Sequence, residues 1–268
     1  MTVLDVETNN GITLVRLNRP EARNALNPEL IVALAECWAG LGADDDTRVV
    51  VLSGAGTSTF CAGFDLTSYI PLLTGARQAE DDWDRAVLAA PGLVARATLR
   101  DFDLGRPLIV AANGHAIAAG MEMLLAGDLR VVASGARLGL SEVRLGLIPA
   151  MGGTARLSRL VSPALAAEML LTGNPIDAEG ALAAGLVNYV AGADRVEEIA
   201  LELATTIAAN APLAVKAARK VMRQAADLSK TEALALERSE SETLSHTEDA
   251  KEGPRAFMEK RRPVFKGR

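Results

Sequence analysis

The chain has 268 residues, and 28 basic against 34 acidic side chains give it a formal net charge of −6. Apolar residues make up 49% of the sequence, enough for a large buried core, so intrinsic disorder is excluded for the bulk of the chain. The acidic balance argues against binding to a nucleic acid backbone, which requires a basic patch. Two cysteines, Cys37 and Cys61, are too few for a disulfide scaffold, so the expected compartment is a reducing cytoplasm.

The N-terminal residues have neither the basic nor the apolar segment of a signal peptide, so we expect no export. The uncharged stretch between Arg106 and Glu122, like the one between Arg48 and Asp65, is shorter than the ~18 to 20 apolar residues of a spanning helix, so we expect no membrane span. Aromatic residues are only 3% of the chain, whereas alanine and glycine are abundant. The core must therefore be built from small side chains and closely approaching backbones.

The first predicted element is a β-hairpin. Residues 3–7 and 12–17 are two apolar-rich runs on either side of an Asn-Asn-Gly turn, which is the typical hairpin signal. An Asn-Pro pair at residues 27–28 then provides an N-cap and a first-turn proline for a helix that extends to about residue 42. Residues 48–53 form a β-branched run, which is the pattern of a strand buried on both faces.

The middle of the chain mixes strands and helices. A mostly helical, charged segment over residues 68–105 precedes a second buried strand at 107–112. A helix begins among the small residues at 118–120, and a third short buried strand follows at 129–133. Such mixing predicts an α/β fold.

The last third is predicted to be helical. Further helix starts are expected at residues 162–163, at Asp177 and at residues 193–194. Residues 193–260 are almost wholly helical and charged, without a core signal of their own. We therefore predict a core over residues 1–192 and a helical C-terminal region over residues 193–268, which packs on the core or on a neighbouring subunit.

Two junctions between a strand, a glycine turn and a helix are the most informative places. In the first, Gly54 and Gly56 resemble the start of a nucleotide-binding fingerprint, but Thr59 occupies the place of its third glycine and no Gly-Lys-Ser/Thr follows. The second junction spans residues 113–122. Two such junctions facing one spot would aim unpaired N–H groups at a developing oxyanion. The alternative is that the small residues merely allow tight packing of helix on strand.

Two carboxylates interrupt apolar segments. Glu122 lies in a helix that is otherwise apolar, and Glu142 lies in the Leu-rich segment 138–149. An unpaired buried carboxylate is unfavourable, so each is paired, protonated or functional. A salt bridge from Glu142 to Arg144 is the structural alternative. Two carboxylates converging on one site would be suited to moving protons and holding a water molecule.

Other chemistries have weaker support. The two histidines, His115 and His246, are far apart and lack the spacing of a metal site, so we interpret both as structural. Cys61 has no accompanying histidine pattern and is interpreted as a small buried thiol.

Taken together, the motifs resemble the crotonase superfamily of enoyl-CoA hydratases and isomerases over nearly the whole chain. The resemblance rests on the order and spacing of eight blocks, at residues 17–20, 23–26, 60–66, 112–114, 120–122, 141–149, 152–157 and 252–265. It implies a spiral of ββα units with a helical C-terminal extension that packs at a trimer interface, in a homotrimer or a dimer of trimers.

The resemblance also implies residue roles. The backbone N–H groups of Phe64 and Ala119 would bind the thioester oxygen of an acyl-CoA. Glu142 would deliver a proton to the α carbon, and Glu122 would orient the attacking water and help to deprotonate it. The coenzyme A moiety would lie along residues that include Lys260 of a neighbouring tail; the others are Arg23, Ala25, Ala62, Asp65, Leu66 and Thr67.

The implied reaction is the addition of water to a trans-2-enoyl-CoA, with no metal and no redox cofactor, coenzyme A being part of the substrate. Two alternatives remain open: a double-bond isomerase, which needs one carboxylate, and a non-catalytic acyl-CoA-binding protein on the same fold. The chain departs from the family pattern where Ala118-Ala119 replaces glycines and where Phe64 replaces a small residue. Both departures bear on the choice of acyl group.

Overall fold

The computed structural model describes residues 2–268, except for the side chain of Pro91. Over residues 2–268 it contains ten strands: β1 (Leu4–Asn9), β2 (Ile12–Leu17), β3 (Val49–Gly54), β4 (Thr59–Cys61), β5 (Leu108–Ala112), β6 (His115–Ile117), β7 (Leu129–Ala133), β8 (Arg137–Gly139), β9 (Ile176–Asp177) and β10 (Tyr189–Ala191).

The same residues form twelve α-helices: α1 (Pro28–Ala43), α2 (Tyr69–Leu73), α3 (Asp82–Ala89), α4 (Pro91–Ala97), α5 (Ala119–Ala126), α6 (Gly153–Leu160), α7 (Pro163–Thr172), α8 (Ala178–Ala183), α9 (Val196–Ala208), α10 (Pro212–Ala225), α11 (Lys230–Ser245) and α12 (Glu248–Met258). Short 3-10 helices lie at Pro20–Ala22 and Glu142–Leu145.

The larger sheet has the strand order β1-β2-β3-β5-β7-β10 and is parallel except for the antiparallel hairpin β1-β2. The hairpin is the predicted one: Leu4 pairs with Leu17, and Asn10 and Gly11 turn with φ angles of 51° and 77°. Every residue of β3 and β5 is buried, as their continuous apolar runs predict. The sheet therefore carries the centre of the core.

The smaller sheet, with the order β4-β6-β8-β9, was not predicted. Its strands are two or three residues long, too short for an alternating pattern to show in the sequence. The strand pairs β3-β4, β5-β6 and β7-β8 each contribute one strand to the larger sheet and the next to the smaller sheet before the chain turns into helix, as in β5-β6-α5. This repetition is the ββα spiral of the crotonase fold, so the predicted fold class is confirmed.

Sharp corners connect the two sheets. A Cβ added to Gly114, between β5 and β6, would lie 2.2 Å from the carbonyl carbon of Ser58. Only glycine allows this approach of two backbones. Nearby, the Nδ2 of Asn24 donates to the carbonyl oxygens of Ala55 (2.9 Å) and Thr59 (3.1 Å) and so ties the corner between β3 and β4. The corners fix where the chain leaves each short strand.

The predicted first helix is confirmed. The Oδ1 of Asn27 accepts a hydrogen bond of 3.0 Å from the amide of Leu30, and Pro28 opens the first turn of α1. The indole of Trp38 is fully buried and donates to the carbonyl oxygen of Ala97 at 3.0 Å. This bond joins α1 to the end of α4, in the helical segment that was expected over residues 68–105.

Helix α9 packs on the larger sheet through buried small residues, and Glu197 on it accepts from Arg16 (2.7 Å) and Ser53 (2.8 Å) on β2 and β3. It begins at Val196, two to three residues later than predicted. Helix α11 packs chiefly on α10. Within residues 2–268, no single helix has the length and apolarity to cross a membrane; only the bent pair α9 and α10 passes that test jointly.

Candidate active site

Two loops from different ββα units touch at Gly63 and Ala118. Gly63 follows β4 with a φ of +98°, and a Cβ added to it would lie 2.8 Å from the Cβ of Ala118 and 3.4 Å from the amide nitrogen of Ala119. Ala118 itself has a φ of 52°, which is strained for a residue with a side chain. The two glycine-rich junctions identified in the sequence therefore meet at one spot.

Each of these loops presents a backbone amide without an acceptor among residues 2–268. Ala119 is the first residue of α5, so its N–H has no partner within the helix and lies at the positive end of the helix dipole. Around Phe64, the carbonyl of Gly63 and the amide of Asp65 both bond to Leu26, but the amide of Phe64 does not donate. Two such amides on touching loops are suited to binding one oxyanion.

Cys61 supports this arrangement without taking part in it. A Cβ added to Gly120 would lie 2.2 Å from the carbonyl oxygen of Cys61, so the start of α5 packs directly on β4. The Sγ of Cys61 accepts from the amide of Gly63 at 3.4 Å. Burial raises the pKa of this thiol to about 12, which keeps it protonated and inert, in agreement with the interpretation as a buried thiol.

Glu122 lies in α5, three residues after Ala119, and is only 1% exposed. Its Oε1 accepts hydrogen bonds from the amides of Met151 (2.7 Å) and Gly153 (2.9 Å). Burial raises the pKa of Glu122 above its ordinary value, while these two amides and the positive charges of Arg156 and Arg100 oppose that shift. Two amide donors allow the carboxylate form to persist in a buried place.

Glu142 begins the 3-10 helix Glu142–Leu145 and has the opposite surroundings. Its Oε2 is buried and has no hydrogen-bond partner among the described residues. Burial raises its pKa to about 7, and the nearby charge of Glu122 adds to the effect. The structure does not contain the alternative salt bridge to Arg144, because that guanidinium donates to Thr172 (3.1 Å) and to Asn174.

The pair thus consists of one carboxylate held by amides and one carboxyl group that is partly protonated near neutral pH. A hydrogen-bonded carboxylate and a carboxyl group with a pKa near neutrality are suited to act as a base and an acid on one substrate. Two carboxyl groups, two free amides and the contact between their loops make this place the candidate active site.

Several residues predicted to contact coenzyme A lie together beside it. The amide of Ala62 donates to the carbonyl of Arg23 at 3.1 Å, so the chain around Arg23 and Ala25 runs alongside the loop after β4. The carboxylate of Asp65 is already occupied by Arg19 (3.2 Å) and by the hydroxyl of Thr67 (2.6 Å). The side chain of Asp65 is therefore a structural brace and is not free to bind a ligand.

The remaining predicted contacts differ in position. Leu66 and Thr67 are exposed on the turn that Asp65 braces. Lys260 is exposed at the end of α12, with its amide bonded to Phe257 at 3.2 Å. Among residues 2–268, Lys260 shares no hydrogen bond or ion pair with another predicted site residue.

Sequence reasoning missed the residues that hold Glu122. Residues 152–157 entered only as a block of the family resemblance, but the amides of Met151 and Gly153 bind the carboxylate, and Nη1 of Arg156 donates to the carbonyl oxygen of Glu122. The signal available was the pair of glycines followed three residues later by arginine. No group of three or more His, Cys, Asp or Glu that could hold a metal occurs in the described part of the chain.

Comparison with known proteins identifies the family of the chain. The family model described as "Enoyl-CoA hydratase/isomerase" matches residues 7–268. The 2,3-dehydroadipyl-CoA hydratase of Escherichia coli is 40% identical over the full length of both chains, and the (E)-benzylidenesuccinyl-CoA hydratase of Thauera aromatica is 37% identical over 98% of each. The crystal structure of an enoyl-CoA hydratase from Bacillus anthracis superposes with a TM-score of 0.89 at 35% identity, over 99% of this chain and all of that one. The chain therefore belongs to the enoyl-CoA hydratase/isomerase family, whose similar members include hydratases and dehydratases of CoA thioesters.

Proposed function

We propose that the protein is an enoyl-CoA hydratase that adds water across the double bond of a trans-2-enoyl-CoA to give a 3-hydroxyacyl-CoA. The observation that carries the proposal is the carboxyl pair: Glu122 bound by two amides, and Glu142 with a free buried oxygen and a pKa raised to about 7. An isomerase needs only one carboxylate, and a protein that merely binds acyl-CoA needs none. The pair therefore favours hydration over both alternatives.

In the proposed reaction, one water molecule lies between the two carboxyl groups. The Glu122 carboxylate takes a proton as the water oxygen bonds to C3 of the enoyl group. The carboxyl of Glu142 donates its proton to C2, and the electron pair of the double bond accepts it. The pair carries one negative charge before and after the step, and transfer of a proton from Glu122 back to Glu142 resets it.

Negative charge develops on the thioester oxygen as the water adds. The free amides of Phe64 and Ala119 would bind that oxygen, and losing one such donor typically costs about 2.7 to 4 kcal/mol of transition-state stabilisation. Because the residues that precede them, Gly63 and Ala118, are in contact, these two amides are fixed and need no reorganisation at the moment of reaction. The reaction uses no metal and no redox cofactor, and coenzyme A enters only as part of the substrate.

We further propose that the site is completed in an oligomer, a homotrimer or a dimer of trimers. Near the end of α12, Phe257 and Met258 are 84% and 83% exposed. Large apolar side chains exposed side by side are typical of a protein–protein contact. Lys260 follows Met258 by two residues, so in such an oligomer we expect it to lie at the contact, where it would reach the coenzyme A of a neighbouring copy.

The test is loss of the conjugated enoyl-thioester absorbance when the purified protein is mixed with crotonyl-CoA and longer 2-enoyl-CoA esters. Esters with a carboxylated or an aryl acyl group belong in the series, because the similar hydratases carry such substrates in their names. Glu142→Gln should nearly abolish turnover while binding of a saturated acyl-CoA survives. Inactivity toward every ester, or an unimpaired Gln variant, contradicts the proposal. Conjugation of a 3-enoyl-CoA without hydration would instead establish the isomerase.

A further inference from the structure

Arg156 on α6 holds four carbonyl oxygens from three segments of the chain. Its Nη1 donates to the carbonyl oxygens of Glu122 and Met151, both at 3.5 Å. Its Nη2 donates to Arg100 at 3.2 Å and also to Leu99. Leu99 has a φ of 56°, so the turn after α4 is held in a backbone conformation that is unfavourable for leucine.

These contacts lie on both sides of the Glu122 carboxylate. One long bond reaches the main chain of Glu122 itself, and another reaches Met151, whose amide donates to Oε1 of Glu122. The fork fits closely, because a Cβ on Gly152 would lie 2.8 Å from Nη1 of Arg156. Gly152 also has a φ of +101°, which a side chain disfavours. One guanidinium thus contacts both chain segments that bring the carboxylate and its amide donors together.

The charge of Arg156 acts on the same group. The charged groups that face Glu122 are Arg156 on α6, Arg100 after α4 and Glu142 on the 3-10 helix. The positive charges of the two arginines lower the pKa of Glu122 and so oppose the effect of its burial. The effect of Arg156 is the larger of the two. Glu142 is the one acidic group of the set, and the charge of Glu122 raises its pKa.

The surroundings of Arg156 explain why arginine is needed there. Burial lowers its pKa, Arg223 lowers it further, and Glu122 and Asp101 raise it. A lysine in such a place would lose its proton more readily, whereas a guanidinium stays charged. Its planar fork also reaches several acceptors at once, which a single ammonium does not.

We propose that Arg156 is a positioning residue for the hydration reaction: it holds Glu122 against the amides of Met151 and Gly153 and keeps a positive charge beside that carboxylate. The kinetic consequences rest on the proposed function, but the effect on Glu122 itself does not. Arg156 does not touch the reacting atoms; it acts through Glu122.

The experiment compares the wild type with Arg156→Met, which keeps the alkyl stem without charge, and with Arg156→Lys, which restores charge without the fork. Protonation of Glu122 is followed by infrared absorption of its carboxyl group, assigned as the band absent from Glu122→Gln. Arg156→Met should shift the midpoint of that titration upward by about one pH unit, and Arg156→Lys should return most of the shift. With a 2-enoyl-CoA, Arg156→Met should lower kcat about 10- to 100-fold and change KM by less than about threefold.

Infrared titrations of Glu122 with the same midpoint in the wild type and in Arg156→Met would overturn the inference. An unchanged kcat in Arg156→Met would overturn it as well. If Arg156→Met does not fold, as judged by circular dichroism, Arg156→Lys decides: a reduced kcat with a near-normal titration supports the role, and an unchanged kcat removes it. If the wild type turns over no enoyl-CoA, the proposed function fails, and the infrared titrations alone decide the inference.

Discussion

The backbone of Gly63 approaches the side chain of Ala118 so closely that a Cβ on Gly63 would lie 2.8 Å from the Cβ of Ala118. The two residues are far apart in sequence, and each precedes one of the two amides without a backbone acceptor, those of Phe64 and Ala119. The contact therefore determines how the two amides face each other. The candidate oxyanion site therefore depends on the contact between Gly63 and Ala118.

Replacing Gly63 with alanine should separate the two loops. The new methyl group collides with Ala118, and the φ of +98° is unfavourable for any residue with a Cβ. We expect kcat on a 2-enoyl-CoA to fall at least about 100-fold, the size typical of a lost oxyanion donor. Gly185→Ala is the matched control, because Gly185 has a φ of +71° but no atom within 4 Å of its Cβ position. Equal loss of activity in both variants would show that the collision is irrelevant.

Glu142→Gln should stabilise the protein at alkaline pH while removing activity. Burial raises the pKa of Glu142 from 4.5 to about 7, so the folded state binds a proton more tightly than the unfolded state. Stability then falls as pH rises from 4.5 to about 7, and glutamine removes this loss. We expect the variant to be about 1 to 2 kcal/mol more stable at about pH 8, a value reduced for partial solvent exposure. Denaturant titration at fixed protein concentration measures it, and a difference that persists unchanged at about pH 4 would contradict the assignment to this group.

The rate of hydration should decline on the alkaline side of neutrality. In the proposed mechanism the proton of Glu142 goes to C2, and the carboxyl loses that proton as pH passes its pKa of about 7. The Glu122 carboxylate is the base, so protonation of Glu122 should produce an acidic limb above the ordinary pKa of a glutamate. A profile of kcat/KM against pH on the wild type measures both limbs. A flat profile between about pH 6 and 9 would be inconsistent with Glu142 as the acid.

Gly153→Ala should move the Glu122 carboxylate away from its amide donors. A Cβ at Gly153 would lie 2.9 Å from both Cγ and Oε1 of Glu122, and 2.9 Å from Pro149. Alanine is otherwise favoured over glycine in a helix by up to about 1 kcal/mol, so we expect no loss of helical content. We expect kcat to fall, and a fall in kcat at unchanged helical content would indicate displacement of the carboxylate. Gly135→Ala serves as the control, since its Cβ position is open. Unchanged kcat in Gly153→Ala would mean that Glu122 does not depend on this turn.

Removing the carboxylate of Asp128 should loosen the C-terminal helices. Asp128 accepts from the amide of Leu108 (2.9 Å) and from Nε of Arg219 and of Arg223 (both 2.8 Å), so it anchors α10 to the larger sheet. Breaking a buried ion pair typically costs about 3 to 5 kcal/mol of stability. We expect Asp128→Ala to lower the free energy of unfolding by an amount in that range, as measured by denaturant unfolding. Asp227→Ala, which breaks the exposed pair with Arg159, should change stability by less than about 1 kcal/mol. Similar effects of the two substitutions would deny Asp128 its anchoring role.

Local sequence patterns predicted the helices and strands whose formation depends on residues that are close together in the sequence. The Asn-Gly turn at residues 10–11 produced the hairpin, and Asn27 capped α1 as expected. The continuous apolar runs became the buried strands β3 and β5. By contrast, β4 and β6 were missed, because strands of three residues are stabilised by pairing across the sheet rather than by any pattern of their own.

By itself, the sequence determined which residues were available for chemistry: two glutamates in apolar surroundings and two glycine-rich junctions. Only the tertiary structure decided their states. Glu122 is held by the amides of Met151 and Gly153, which follow it by 29 and 31 residues, whereas Glu142 is left with a buried oxygen that has no partner among the described residues. The physical reason is that the protonation of a carboxyl group depends on its desolvation, its hydrogen-bond donors and nearby charges, and here chain segments distant in sequence supply most of these.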